Sequence, residues 1–177
     1  MARPYFVDRV IVRSLSAGST RGRFTFASRD IQCTLGRAGI RRYKREGDGV
    51  TPAGTYTMRC VLYRADRLAR PCTGLPLHPL HPDDGWCDDP ISGRYNRLIR
   101  QPFTDGAEDL WRADGLYDAI AILGYNDRPV IRGRGSAIFL HVAAANFAPT
   151  AGCVGLRQND LLRVLAHVDP YTKLVIV

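Results

Sequence analysis

The chain has no apolar run approaching the ~20 residues that a membrane-spanning helix needs, so no membrane span is expected. A signal-peptide pattern is missing too: Arg3, Asp8, Arg9 and Arg13 interrupt every candidate apolar region near the N-terminus. Paired Cys/His ligands at zinc spacing are also lacking. The segment from His78 to Asp89 holds His78, His81, Cys87 and four aspartates, which invites a metal reading. Its prolines restrict the backbone, however, and no second Cys/His pair completes the set. Neither a metal nor a cofactor is expected. The net charge of +8 would suit a polyanion, yet no nucleic-acid motif is present and no aromatic residues interleave the densest basic run, residues 37–45. That run reads as a solvated loop, and nucleic acid is not an expected partner. Cys33, Cys60, Cys72, Cys87 and Cys153 are scattered and odd in number, leaving open disulfides plus a free thiol, or five thiols.

What is present fits one globular domain over residues 1–177, expected as a monomer. The chain is 45% hydrophobic and 24% charged, and long enough for a substantial core. Residues 6–12, 23–27 and 31–35 read as short strands, the last two joined at an Arg29-Asp30 corner. Thr51-Pro52-Ala53-Gly54 has the punctuation of a tight turn before a strand over 55–63. Regular periodicity then stops from about 64 to 101, a proline-, aspartate- and glycine-rich stretch read as an insertion capping a cleft. Residues 108–112 predict a helical turn, 117–124 a strand, 125–128 its turn, and 130–141 the return strand, with Gly133 and Gly135 marking a bulge or a close approach. A last helix is predicted with Asn159 as N-cap, Asp160 in its first turn and an apolar face of Leu161, Leu162, Val164, Leu165 and Val168. A buried strand over 174–177 ends the chain. Short strands with glycine turns predict a mainly β, antiparallel sandwich or barrel-like architecture.

Two residues carry the candidate chemistry. The apolar run Ile138-Phe139-Leu140 ends in His141, and Cys153 follows directly after Gly152. A thiol at its ordinary pKa is only ~3% thiolate at pH 7. A neighbouring imidazole can take its proton, and converging main-chain N–H groups can hold an oxyanion. Gly152 would let the backbone aim its own N–H and that of Cys153 at one point. A buried cysteine and a hydrogen-bonded core histidine would share the same residue types.

The surrounding words are more specific than the pair. Gly47-Asp48-Gly49-Val50-Thr51-Pro52-Ala53-Gly54-Thr55-Tyr56, Ser136-Ala137-Ile138-Phe139-Leu140-His141 and Pro149-Thr150-Ala151-Gly152-Cys153-Val154 resemble the L,D-transpeptidase catalytic domain of the YkuD type. The likeness runs from about Thr34 to the C-terminus. Gly85-Trp86-Cys87-Asp88-Asp89-Pro90 and Tyr95-Asn96-Arg97 resemble a subgroup carrying this insertion. Ala151 stands where many members have a second histidine, and Gly155 where many have an arginine.

The resemblance implies Cys153 as nucleophile and His141 as base, the histidine being oriented by a main-chain carbonyl near Val142. Gly152 and Cys153 would donate to the oxyanion. Thr150 and Ser136 are the adjoining substrate contacts. Arg132 or Arg134 could hold a carboxylate in place of the arginine missing at Gly155. Asp88 or Asp89 could bind a substrate ammonium with Trp86 covering its stem. The implied partners are peptidoglycan stem peptides as donor and acceptor, with carbapenem-type β-lactams as possible inhibitors. The implied location is the periplasm or cell envelope, reached by a route this chain does not display or with a leader outside it. The implied reaction attacks the third-residue carbonyl of a stem tetrapeptide and releases D-alanine. An amine acceptor then completes a crosslink, for which an unusual first-to-third linkage is a candidate. A carboxypeptidase and a non-catalytic wall- or polyanion-binding module remain as alternatives.

Overall fold

A computed structural model describes residues 5–177; Arg3 and its neighbours lie outside it. The chain opens with β1 (Arg9–Ser14), β2 (Arg21–Phe26) and β3 (Arg29–Thr34), then the two-residue strands β4 (Ile40–Arg41) and β5 (Thr51–Pro52), and the long β6 (Gly54–Tyr63). The insertion contributes β7 (Leu77–Pro79), β8 (Asp84–Cys87) and β9 (Leu98–Arg100), followed by β10 (Ala107–Asp109). The remainder is β11 (Ala119–Leu123), β12 (Phe139–Val142), β13 (Val154–Leu156), α1 (Gln158–Leu165) and β14 (Lys173–Ile176).

The main sheet runs β11-β12-β13-β3-β2-β1-β14-β6-β7, and β6 also pairs with β11, closing the sheet on itself. Closure leaves few free edges. The mainly β class with a C-terminal helix is as expected, but the sheet is mixed: β1–β14, β12–β13 and β6–β7 are parallel. Within the described residues α1 is the one α-helix.

Two apolar clusters use opposite faces of the strands. On β11, Ala119, Ala121 and Leu123 enter the larger core with Leu161, Val164 and Leu165 of α1, while Ile120 and Ile122 enter a second cluster. This is the period-two alternation of a strand buried on both sides. The second cluster also holds Phe139, Trp86, Leu110, Tyr117 and Cys153. It lies where the sheet meets the small sheet β10-β8-β9.

Several local expectations change. The β2–β3 hairpin turns at Ala27-Ser28, both with positive φ (45° and 63°), and Arg29 already pairs with Phe26. Residues 107–109 form a strand rather than part of a helical turn, because β8 supplies a partner that local sequence does not announce. The insertion is not structureless: its strands make most of the small sheet, which extends to Asp109. Thr51 and Pro52 pair with β4 before the chain enters β6. Only 139–142 of the long return strand is extended and paired; the approach to it bends through Gly133, Gly135 and Ala137, all with positive φ. Arg157, not Asn159, occupies the helix N-cap and makes no side-chain cap hydrogen bond, while Asp160 lies in the first turn as expected.

Gly36 fixes the loop that carries Thr150. Its N–H donates to Thr51 Oγ1 at 2.7 Å, and it bridges Thr150. A Cβ there would sit 2.1 Å from the Gly49 carbonyl oxygen and 3.1 Å from Gly152 Cα. Backbone atoms cannot yield as a flexible side chain can, so Gly36→Ala is expected to cost about 1–3 kcal/mol or more, read as a lower midpoint in urea unfolding.

Candidate active site

Strand register brings the two chemistry-bearing residues together. β12 and β13 run parallel, with Leu140 opposite Val154 and His141 opposite Gly155. Alternation puts Phe139 and His141 on one face, and Cys153, one residue before β13, comes level with Phe139. The Phe139 N–H donates to Cys153 Sγ at 3.3 Å, and the thiol donates to the Ala137 carbonyl at 3.1 Å. His141 Nδ1 lies 2.8 Å from the Val142 carbonyl oxygen. A carbonyl only accepts, so Nδ1 carries the hydrogen and Nε2 keeps a lone pair that can take a proton. Tyr117 packs edge-on to the imidazole at 5.3 Å. Cys153 and His141 line one cleft of about 580 Å³.

Burial governs the resting charges. It pushes the Cys153 thiol up to about 12, helped by the nearby Glu108 carboxylate and opposed by the Phe139 N–H and the Lys44 ammonium. It also pushes His141 down to about 4, against the pull of the Val142 carbonyl. The pair therefore rests as thiol and neutral imidazole. This differs from a thiolate preformed by its neighbours: both charged forms lose more hydration than the site returns.

The turn before the cysteine is closed by Thr150, whose hydroxyl donates to the Cys153 carbonyl at 2.7 Å and accepts from the Gly152 N–H at 3.1 Å. Gly152 has φ 144°, and a Cβ on it would meet the Val50 carbonyl at 2.7 Å and Lys44 Nζ at 3.1 Å. Only glycine fits there. Its N–H is already engaged by Thr150, whereas the Cys153 N–H has no acceptor among the described residues. Gly155 is equally constrained, since a Cβ would lie 2.6 Å from Thr34 Cγ2 and 3.1 Å from Ala143 Cα. The arginine that the resemblance led one to expect at that position has no room here. Ala151 is exposed on the cleft rim.

Lys44 is the residue that sequence reasoning missed. Its basic run was expected to be solvated, yet Lys44 is 7% exposed, lines the cleft, and pairs with Asp48 at 3.0 Å. The stem passes so close to Gly135 that a Cβ there would be 2.7 Å from Lys44 Cε, which gives Gly135 its purpose. An acidic wall lines the same cleft. Asp88 lines it, with Glu46 accepting from Ser136 Oγ at 2.7 Å and Glu108 accepting from Tyr117 Oη at 2.5 Å. Burial raises the carboxyls of Asp88 and Glu108 above their ordinary values.

Other expected contacts lie elsewhere. Arg134 lines a separate depression beside Tyr56 and Tyr125, and Arg132 is exposed. Trp86 is 8% exposed, donates from Nε1 to Asn96 Oδ1 at 2.9 Å and packs edge-on to Phe139 at 5.2 Å. It lines a different cavity of about 660 Å³, so the structure does not bring it to the ammonium position beside Asp88. The five cysteines are all free thiols. Among the described residues no group of three or more His, Cys, Asp or Glu is arranged to hold a metal.

The family model for the L,D-transpeptidase catalytic domain (YkuD) matches residues 9–177. The chain belongs to that family. No curated protein and no solved structure matches it. In this L,D-transpeptidase domain the insertion is folded into the same unit as the Cys153 cleft, through the second apolar cluster.

Two outcomes test the electrostatics. With Cys72, exposed on its loop, as internal reference, maleimide modification of Cys153 is expected to be slow at pH 7 and to climb steeply towards pH 12. Lys44→Met should slow it further, as followed by peptide mass mapping. The second concerns stability. Below pH 6.5 the unfolded chain binds a proton that buried His141 refuses until about pH 4. Stability is therefore full above 6.5 and is lost as pH falls through 4, by roughly 3 kcal/mol. Urea unfolding of His141→Gln should lack that part of the acid slope.

Proposed function

We propose that this domain is a peptidoglycan L,D-transpeptidase with Cys153 as nucleophile and His141 as base. The observation that carries this reading is the shared cleft. There a thiol and an imidazole line the same space, beside an acidic wall suited to a diamino acid. As the stem tetrapeptide docks, Nε2 takes the thiol proton and Sγ bonds to the third-residue carbonyl carbon. Proton transfer is coupled to attack, so the neutral resting pair needs no standing thiolate. The oxyanion is held by the Cys153 N–H, with the Lys44 ammonium supplying positive charge across a dry turn. Collapse breaks the bond to D-alanine, whose amine leaves with the proton from His141. The thioester then passes its acyl group to an acceptor amine, which gives up a proton as the amide forms and Cys153 is released.

Glu46, Asp88 and Glu108 on one wall, with Asp109 nearby, give that wall an affinity for ammonium groups, either on the donor's third residue or on the acceptor. The acceptor assigned is the N-terminal amine of a first residue, giving a first-to-third link. Supporting it are the resemblance of the insertion to a distinct subgroup and the loss of the second histidine and the arginine at Ala151 and Gly155. Such a substrate would put the protein in the cell envelope; among the described residues no helix is long and apolar enough to cross a membrane.

Intact-mass analysis with purified tetrapeptide muropeptide tests this. Release of D-alanine with an acyl-enzyme or crosslinked product is expected, abolished in Cys153→Ala, and a carbapenem should acylate Cys153. Release to water alone, with an amine acceptor supplied, would make the protein a carboxypeptidase. No turnover and no acylation would favour the binding module, and products with only third-to-third links would remove the first-to-third assignment.

A further inference from the structure

The insertion's Trp86 and Tyr95-Asn96 motifs are unused by the chemistry above, yet they converge on the segment that holds the nucleophile. Asn96 is 3% exposed and adopts φ 56°. Its Oδ1 accepts from Trp86 Nε1 at 2.9 Å and from the Ala137 N–H at 3.1 Å. Its Nδ2 donates to the carbonyls of Tyr125 and Asn126 at 3.1 and 2.8 Å. The amide is fully used, and its own N–H is tied to the Cys87 carbonyl at 2.8 Å. Tyr95 grips the same segment two residues earlier, accepting from the Gly135 N–H at 3.0 Å and donating to Glu46 at 2.5 Å.

Between these two grips the chain takes φ 98° at Gly135 and φ 49° at Ala137. A non-glycine residue resists that last conformation unless its surroundings impose it. The bend has a result. It turns the Ala137 carbonyl onto the Cys153 thiol at 3.1 Å and delivers the Phe139 N–H to the same sulfur at 3.3 Å. The sulfur's two hydrogen-bond partners thus both belong to a segment that the insertion clamps.

We propose that Asn96 is a positioning residue for the nucleophile, acting from the insertion through Ala137 to set the direction in which Cys153 Sγ meets the substrate carbonyl. Trp86 is its anchor, not a substrate contact. The role rests on the reading of Cys153 as nucleophile, because only then does the aim of the sulfur matter.

The test compares Asn96→Gly, Asn96→Asp and Trp86→Phe in the full chain. Glycine accepts φ 56° without strain and deletes the amide. Aspartate keeps the acceptor for Trp86 and Ala137 while losing the two donors. The phenylalanine variant removes the indole N–H together with part of the ring that packs on Phe139. Turnover of the tetrapeptide should fall about tenfold or more in kcat for Asn96→Gly, with KM within about twofold, since misaiming an attacking atom costs rate more than binding. Maleimide modification of Cys153 relative to Cys72 should hold steady or rise in the same protein, the sulfur being released from Ala137. General loosening would instead lower the unfolding midpoint and raise KM. Asn96→Asp should recover part of kcat, and Trp86→Phe should lose less than Asn96→Gly.

A folded Asn96→Gly with wild-type kcat overturns the proposal, as does an Asn96→Asp no better than glycine. If Asn96→Gly does not fold, Trp86→Phe with unchanged kcat overturns it. Failure of the transpeptidase reading is separate: the wild-type protein would then release no D-alanine. In that case, carbapenem acylation unchanged between wild-type and Asn96→Gly proteins counts against the positioning role, and loss of acylation with maleimide modification retained counts for it.

Discussion

The site depends on one short parallel pairing, that of β12 with β13. Three residue pairs set it, and with them the level at which Cys153 meets Phe139. A one-residue slip would turn Cys153 and His141 to opposite faces, because side chains alternate along a strand. The pairing is itself held from both sides, by β11 beyond β12 and by β3 beyond β13. Glycine at 155 lets β13 approach Thr34 and Ala143 more closely than any side chain would permit. Closeness of backbone, rather than a charge relay, is what places the reactive groups.

That closeness has an electrostatic cost the molecule does not offset at rest. Buried sulfur and imidazole both prefer to be neutral, and the Lys44–Asp48 pair beside them brings only a partly compensated positive charge. In the proposed reaction, charge would be favoured only once substrate fills the cleft, when the carbonyl oxygen receives what the sulfur gives up. The Cys153 N–H and the Lys44 ammonium would then act as donors already in place, the form of stabilisation that low-dielectric sites make strong.

Residues with local signatures were legible from sequence. Cys153 after Gly152 and His141 at the end of an apolar run follow from short words, as do the helix over Leu161–Leu165 and the final strand; the Val142 carbonyl beside the imidazole was what the family resemblance implied. What was illegible depends on partners far along the chain. Lys44 sits in a run of exposed-looking arginines, and only its approach to Gly135 and Gly152 buries it. Residues 107–109 have no strong strand pattern of their own and extend because β8 lies beside them. Trp86 looks like a surface clamp next to two aspartates, but packing within β8 commits it to the cluster around Phe139, while the strand ends at Cys87 and leaves Asp88 on the Cys153 cleft. Asn96 stood out only as part of a motif; three of its side-chain hydrogen bonds reach segments about 30 and 40 positions away.

β14 lies between β1 and β6, parallel to one and antiparallel to the other. The strand that closes the gap between β1 and β6 therefore lies far along the chain from β1. During synthesis, β1 must wait until residue 173 and beyond have emerged, so long-range pairing is obligatory and assembly is slow compared with folds built from local contacts. Any nascent or clipped form lacking those four residues carries two open strand edges, each a template for another chain. A strand so distant in sequence thus decides whether those two edges are covered.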